Sequence, residues 1–96
     1  VAAECALRDF FRAIAGDPRI GISHISLYCA FYQYQTDADP NAAISFVKSD
    51  IMKEAKISGL ATFHKCIRDL HEYGYIRYRP SYDHRKKNRV YLVKGN

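Results

Sequence analysis

The stretch LATFHKCIRDLHEYGYI, Leu60 to Ile76, decides how the rest of this chain is read. Phe63, Ile67 and Leu70 recur at the spacing of one helix face, while Lys65 and Arg68 fall on the other. With Phe63 at the centre of the inward face, steps of about 100° per residue put Cys66, Ile67, Leu70 and Tyr73 near it. The same steps put Ala61, Lys65, Arg68 and Glu72 opposite, with Thr62 and His64 flanking the exposed side. Gly74 is placed to end the helix in the left-handed conformation that glycine adopts without a Cβ penalty. A helix of this kind folds with one face and leaves a charged face whose purpose has to be sought elsewhere.

Reading outward, Ile51, Met52 and Ala55 form the buried side of a short preceding helix, with Ser49 expected as its N-cap and Asp50 near its positive end. Lys56-Ile57-Ser58-Gly59 is the break between the two helices, with Ser58 the expected cap of the second. Downstream, Ile76 and Tyr78 alternate with Arg77 and Arg79 until Pro80, and Val90 and Leu92 alternate with Arg89, Tyr91 and Val93. These are two strands joined by SYDHRKKN, Ser81 to Asn88. Upstream, Ile44 to Val47 alternates as a short strand after the loop TDADPNAA, Thr36 to Ala43. Before that, Ser23 to Gln35 reads as a helix with two apolar stripes, and Ala2 to Ala15 as a first helix stopped by Gly16-Asp17-Pro18. The expected order is helix, helix, short strand, helix, helix, strand, loop, strand, a mainly α fold with a small β-hairpin.

The chain has 96 residues, the size of a single domain spanning 1–96. At 48% hydrophobic and 26% charged it is ordinary for a folded protein, and no apolar run approaches the ~20 residues that cross a bilayer. No membrane association is expected, Val1 to Leu7 lack the pattern of a secretory signal, and a cytoplasmic location follows. Cys5, Cys29 and Cys66 are widely separated among apolar helical neighbours and read as reduced core residues. Together with the four histidines they show no metal-ligand spacing, so neither a metal nor a cofactor is expected. Catalysis is not expected either, because the one close carboxylate pair, Asp37 and Asp39, sits in a loop where turn formation explains it.

The net charge of +5 is unevenly distributed. Residues 1–47 hold three basic side chains against five acidic ones, while residues 48–96 hold twelve against five. A concentration of this kind is the footprint of a surface that meets a polyanion. Its densest part is His84-Arg85-Lys86-Lys87-Asn88-Arg89, four permanent positive charges at the expected hairpin tip, with none of the Asn-Gly chemistry of a purely structural turn.

A short helix, a tight break, a longer helix and a basic hairpin follow one another in the order of a winged helix-turn-helix. Residues 44–94, about half of the chain, resemble such domains of bacterial transcription regulators. SDIMKEAKIS stands as the positioning helix and turn, ATFHKCIRDLHEYGYI as the recognition helix and YRPSYDHRKKNRVYLV as the wing. The resemblance implies double-stranded DNA as the partner and Thr62, Lys65 and Arg68 as the reading face, with Gly59, Ala61 and His64 beside them. It also implies wing contacts from Arg85, Lys86, Lys87, Asn88 and Arg89, and Ser49 at the start of the positioning helix is a further DNA-binding candidate. A weaker likeness is to excision or replication accessory proteins of mobile elements. A protein-interaction winged helix, working through the aromatic helix Ser23 to Gln35, is the alternative, with RNA binding behind it. Finally, Leu7, Phe10, Phe11, Leu27, Phe31 and Tyr34 exceed what one small core requires, so residues 1–36 are expected to form a homodimer contact.

Overall fold

Alternating side chains in three short segments build one antiparallel sheet, and the helices cover only one of its faces. A computed structural model describes residues 2–35, 42–82 and 87–93. In chain order these form α1 (Ala2–Ile14), α2 (Ile22–Tyr32), β1 (Ile44–Phe46), α3 (Lys48–Ala55), α4 (Leu60–Glu72), β2 (Ile76–Arg79) and β3 (Asn88–Leu92). The expected order of elements is the observed one. The sheet is larger than the expected hairpin, because β1 pairs along the free edge of β3 and makes the strand order β1-β3-β2. The outcome is a mixed α/β arrangement of helices and a three-stranded antiparallel sheet.

Register determines what each sheet face does. Ile44 lies opposite Val90, Ile76 opposite Leu92 and Tyr78 opposite Val90, so one face carries these residues and Phe46 into the core. Onto it pack Leu27, Tyr28 and Phe31 of α2, Ile51 and Ala55 of α3, and Phe63, Cys66, Ile67 and Leu70 of α4, all buried. Phe63 has 0% of its surface exposed, and burying a side chain of that size stabilises by roughly 1.5–3 kcal/mol. α1 joins through Phe10, whose ring stacks on Tyr28 at 3.7 Å and meets Tyr75 edge-on at 5.5 Å.

Several local expectations are corrected. Neither Ser49 nor Ser58 caps a helix. The N-cap of α3 is Val47 and that of α4 is Gly59, both extended and neither with a side-chain cap. Alternation carries Phe46 into the core and leaves Val47 at the junction, so α3 begins one residue before Ser49. α2 ends at Tyr32 and not at Gln35, the next residues continuing only as tight turns from Tyr34 N–H to the Phe31 carbonyl and from Gln35 N–H to the Tyr32 carbonyl. Cys66 is buried, but Cys29 is exposed on α2. The proposed surplus of apolar side chains shrinks, because Phe10, Leu27 and Phe31 are all core residues and the Tyr34 hydroxyl donates to Glu54. Of that group Phe11 is the one left exposed without a polar task, at 45%. Asp37, Asp39, Arg85 and Lys86 lie outside the described residues.

Both ends of the α3–α4 pair close in the same way. Lys56 N–H donates to the Lys53 carbonyl and Ile57 N–H to the Met52 carbonyl, with Lys56 left-handed at φ 61°. Gly74 N–H donates to the His71 carbonyl and Tyr75 N–H to the Leu70 carbonyl, with Gly74 at φ 88°. The first closure turns the chain into α4, and the second turns it into β2.

Candidate nucleic-acid interface

α4 is a two-sided helix because its sequence has two sides. Phe63, Cys66, Ile67 and Leu70 anchor it in the core, and Ala61, Thr62, His64, Lys65 and Arg68 are all exposed, as the periodicity predicts. Its start is open. Gly59 offers no capping side chain, the first intrahelical bond runs from Phe63 N–H to the Gly59 carbonyl, and no acidic residue occupies the first turn. The N–H groups of Leu60, Ala61 and Thr62 therefore remain at the positive end of the helix, where an anion is favoured. Leu60 itself is 52% exposed, an apolar side chain beside this end that the periodicity did not single out. Ser49 is exposed in the first turn of α3, the neighbouring helix.

Lys65 is not a free cation. Its Nζ lies 2.7 Å from Asp69 Oδ2, one helical turn on, and the same oxygen is 2.9 Å from His24 Nε2. Gly21 N–H donates to His24 Nδ1 at 3.0 Å. A backbone N–H can only donate, so Nδ1 is the unprotonated nitrogen, and Nε2–H donates to the carboxylate. This trio ties the start of α2 to the middle of α4. Hydrogen bonding from Lys65, and next from His24, holds the Asp69 carboxyl below its ordinary range, and Asp69 in turn raises the Lys65 ammonium. The Lys65 side chain is still 65% exposed, so it is held in place while open to an incoming ligand. Arg68, one turn along, is exposed and has no ion pair among the described residues.

The hairpin residues divide. Arg89 is exposed on β3, and Lys87 lines a recess of about 90 Å³ beside the first turn of α3, together with Ser45, Val47 and Asp50. Asn88, expected in the loop, is the first residue of β3, and its Oδ1 accepts from Ser81 N–H at 2.9 Å. Its side chain closes the hairpin base and is committed there. His71, near the end of α4, accepts from Tyr78 N–H at 3.1 Å and so fastens α4 to β2.

At the opposite end of α4, Arg19 is spent on structure. Its guanidinium lies 3.8 Å over the Tyr73 ring and donates to Asp17, which also accepts from the Tyr75 hydroxyl at 2.6 Å. The Arg19 hydrogen bond, and then that of Tyr75, holds the Asp17 carboxyl far below the usual carboxylate range. Among the described residues the cations without an ion pair are spread over the fold: Arg8 and Arg12 on α1, Lys48 and Lys53 on α3, Lys56, Arg68 on α4, Arg77 and Arg79 on β2, and Lys87 and Arg89 of the hairpin.

Among the described residues no three His, Cys, Asp or Glu side chains converge as a metal site, and no helix is long and apolar enough to cross a membrane. No protein-family model matches the chain, and no curated protein or solved structure is significantly similar to it.

Proposed function

We propose that this chain is a winged helix-turn-helix protein that binds double-stranded DNA in a sequence-dependent way, with α4 as the recognition helix. One observation carries the reading. α4 is fixed by its apolar face while an uncovered N-terminus, Thr62, Lys65 and Arg68 line its outer face, and a basic hairpin follows it directly. The major groove admits one helix of this width, and Lys or Arg at such positions reach guanine edges or phosphates. In this reading β2 and β3 form the wing, α3 positions α4, and the protein acts in transcription regulation or as an accessory factor of a mobile element. Pairing of two copies through α1 and α2 would use Phe11 and Ile22, the latter 86% exposed.

The test is selection from a random duplex pool, followed by titration of the preferred site with the wild type and with K65A and R68A. Each substitution is expected to lower affinity roughly 5- to 150-fold and to relax the preferred sequence. Equal binding of all duplexes by wild type and both variants would reject the assignment of α4 as the reading element.

A further inference from the structure

We propose that the outer face of the sheet, built from Arg77, Arg79, Arg89 and Tyr91, is a second phosphate-binding surface that grips the backbone of duplex DNA outside the segment met by α4. It rests on the proposed function for the class of partner and shares Arg89 with the wing contacts of that reading, while Arg77, Arg79 and Tyr91 lie outside them, and it uses none of the α4 residues.

The argument begins with register. Arg79 lies directly opposite Arg89, Arg77 lies opposite Tyr91, and Ser45 flanks Arg89 on the other side. Because side chains alternate along a strand, these five residues share the face that points away from the helices. The core is supplied wholly by the opposite face, through Ile44, Phe46, Ile76, Val90 and Leu92, so packing does not require arginine at any of these positions. Like charges directly opposite each other on antiparallel strands destabilise a sheet, and Arg79 with Arg89 is such a pair. Asp or Glu would relieve it, but this face of the strands carries none. All three arginines are exposed, and none has an ion pair among the described residues.

The geometry also selects the ligand. Arg77 and Arg79 are two residues apart on one strand, roughly 6.6 Å, and Arg79 and Arg89 face each other at roughly 5 Å, so three arginines rise from neighbouring positions on one face of the sheet. Guanidinium pairs with phosphate oxygens bidentately, which an ammonium cannot do. A single strand bound by base stacking would need several open rings. Here the one ring, Tyr91, is half-buried and already has the Arg77 guanidinium 5.5 Å from its centre. Phosphates, not bases, are therefore the groups this face fits.

The deciding experiment maps amide chemical shifts of the isotope-labelled wild-type chain during titration with duplex DNA of random sequence at low salt, with poly-glutamate as a parallel probe. Shifts at Ser45, Arg77, Arg79, Arg89 and Tyr91 with the duplex are expected. In the variant R77Q/R79Q/R89Q, the slope of log affinity against log salt should flatten by about 0.9 for each lost phosphate contact while the preferred sequence stays the same. Shifts confined to residues 60–68, with an unchanged salt slope, would overturn this inference and leave the proposed function standing. Shifts at the sheet alone would uphold it and overturn the role of α4. An absence of shifts at both faces would overturn both, and sheet shifts with poly-glutamate but not with DNA would replace the duplex by an acidic protein segment.

Discussion

Two basic surfaces of this protein are built by different rules. On α4, Lys65 finds its counter-charge one turn away at 2.7 Å, and that carboxylate also serves a buried histidine from α2. On the outer face of the sheet, Arg79 faces Arg89 across the strands with no carboxylate on the strand positions around them. A helix brings residues four apart together, so its charges can be balanced within one short stretch of sequence. A strand face is assembled from residues distant in the chain, and balance there requires separate choices on each strand. The helix surface is therefore partly neutralised within the fold, whereas the sheet surface keeps two like charges face to face.

The largest expected effect comes from breaking the balanced side. Asp69→Ala should lower the free energy of unfolding by about 1–3 kcal/mol, because His24 Nε2–H would be left buried without an acceptor. Asp69→Asn should cost less, since an amide oxygen can still accept from Nε2–H. Urea titration of the two variants checks the ordering. If Asp69→Ala costs no more than an exposed alanine substitution, the trio is not holding α2 to α4 and the contrast between the surfaces weakens.

Acid should act on the same side alone. The Asp69 carboxyl is depressed below its ordinary 3.8 by Lys65 first and His24 second, and so titrates lower in the folded chain than in the unfolded one. Its contribution to stability is then complete above 3.8 and is lost as the pH falls from there through the lower folded value. The wild type should lose stability steeply below that point, and Asp69→Asn less steeply. Thermal melts at stepped pH give both slopes, and parallel curves would show that Asp17, the other depressed carboxylate, carries the acid sensitivity.

The same contrast explains what was legible in the sequence. The faces of α4 could be read because helical periodicity is local, and Phe63, Cys66, Ile67 and Leu70 are buried where the spacing placed them. The Lys65–Asp69 pair was also within reach of i,i+4 spacing, but the burial of Asp69 was not, because its partner His24 is 45 residues away. Alternation put Arg77 and Arg79 on one side of a strand and Arg89 on one side of another. Only register puts those sides together, and register depends on how the hairpin closes and on β1 joining the far edge of β3. The misplaced caps have a comparable cause. Ser49 and Ser58 are good capping residues by type, but the strand-to-helix junction after Phe46 and the left-handed Lys56 put the N-caps at Val47, two residues before Ser49, and at Gly59, one residue after Ser58.

The smallest effect is also the most discriminating between the two surfaces. Arg79→Glu replaces a like-charged cross-strand pair by an opposite-charged one at the same register position, on a face that makes no contribution to the core. At low ionic strength it should raise stability by about 0.2–1 kcal/mol, and the gain should fade as salt rises, because exposed charges a few ångströms apart are screened. Arg79→Thr, which removes the charge and keeps a side chain suited to a strand, should recover part of the gain. Both changes should weaken duplex binding while stabilising the fold, an exchange expected where charge serves a partner instead of the structure. Chemical denaturation in low and high salt tests this directly. An Arg79→Glu variant that is no more stable than wild type at low salt would mean that Arg79 and Arg89 do not strain the sheet, and the two surfaces would then differ in composition but not in energy.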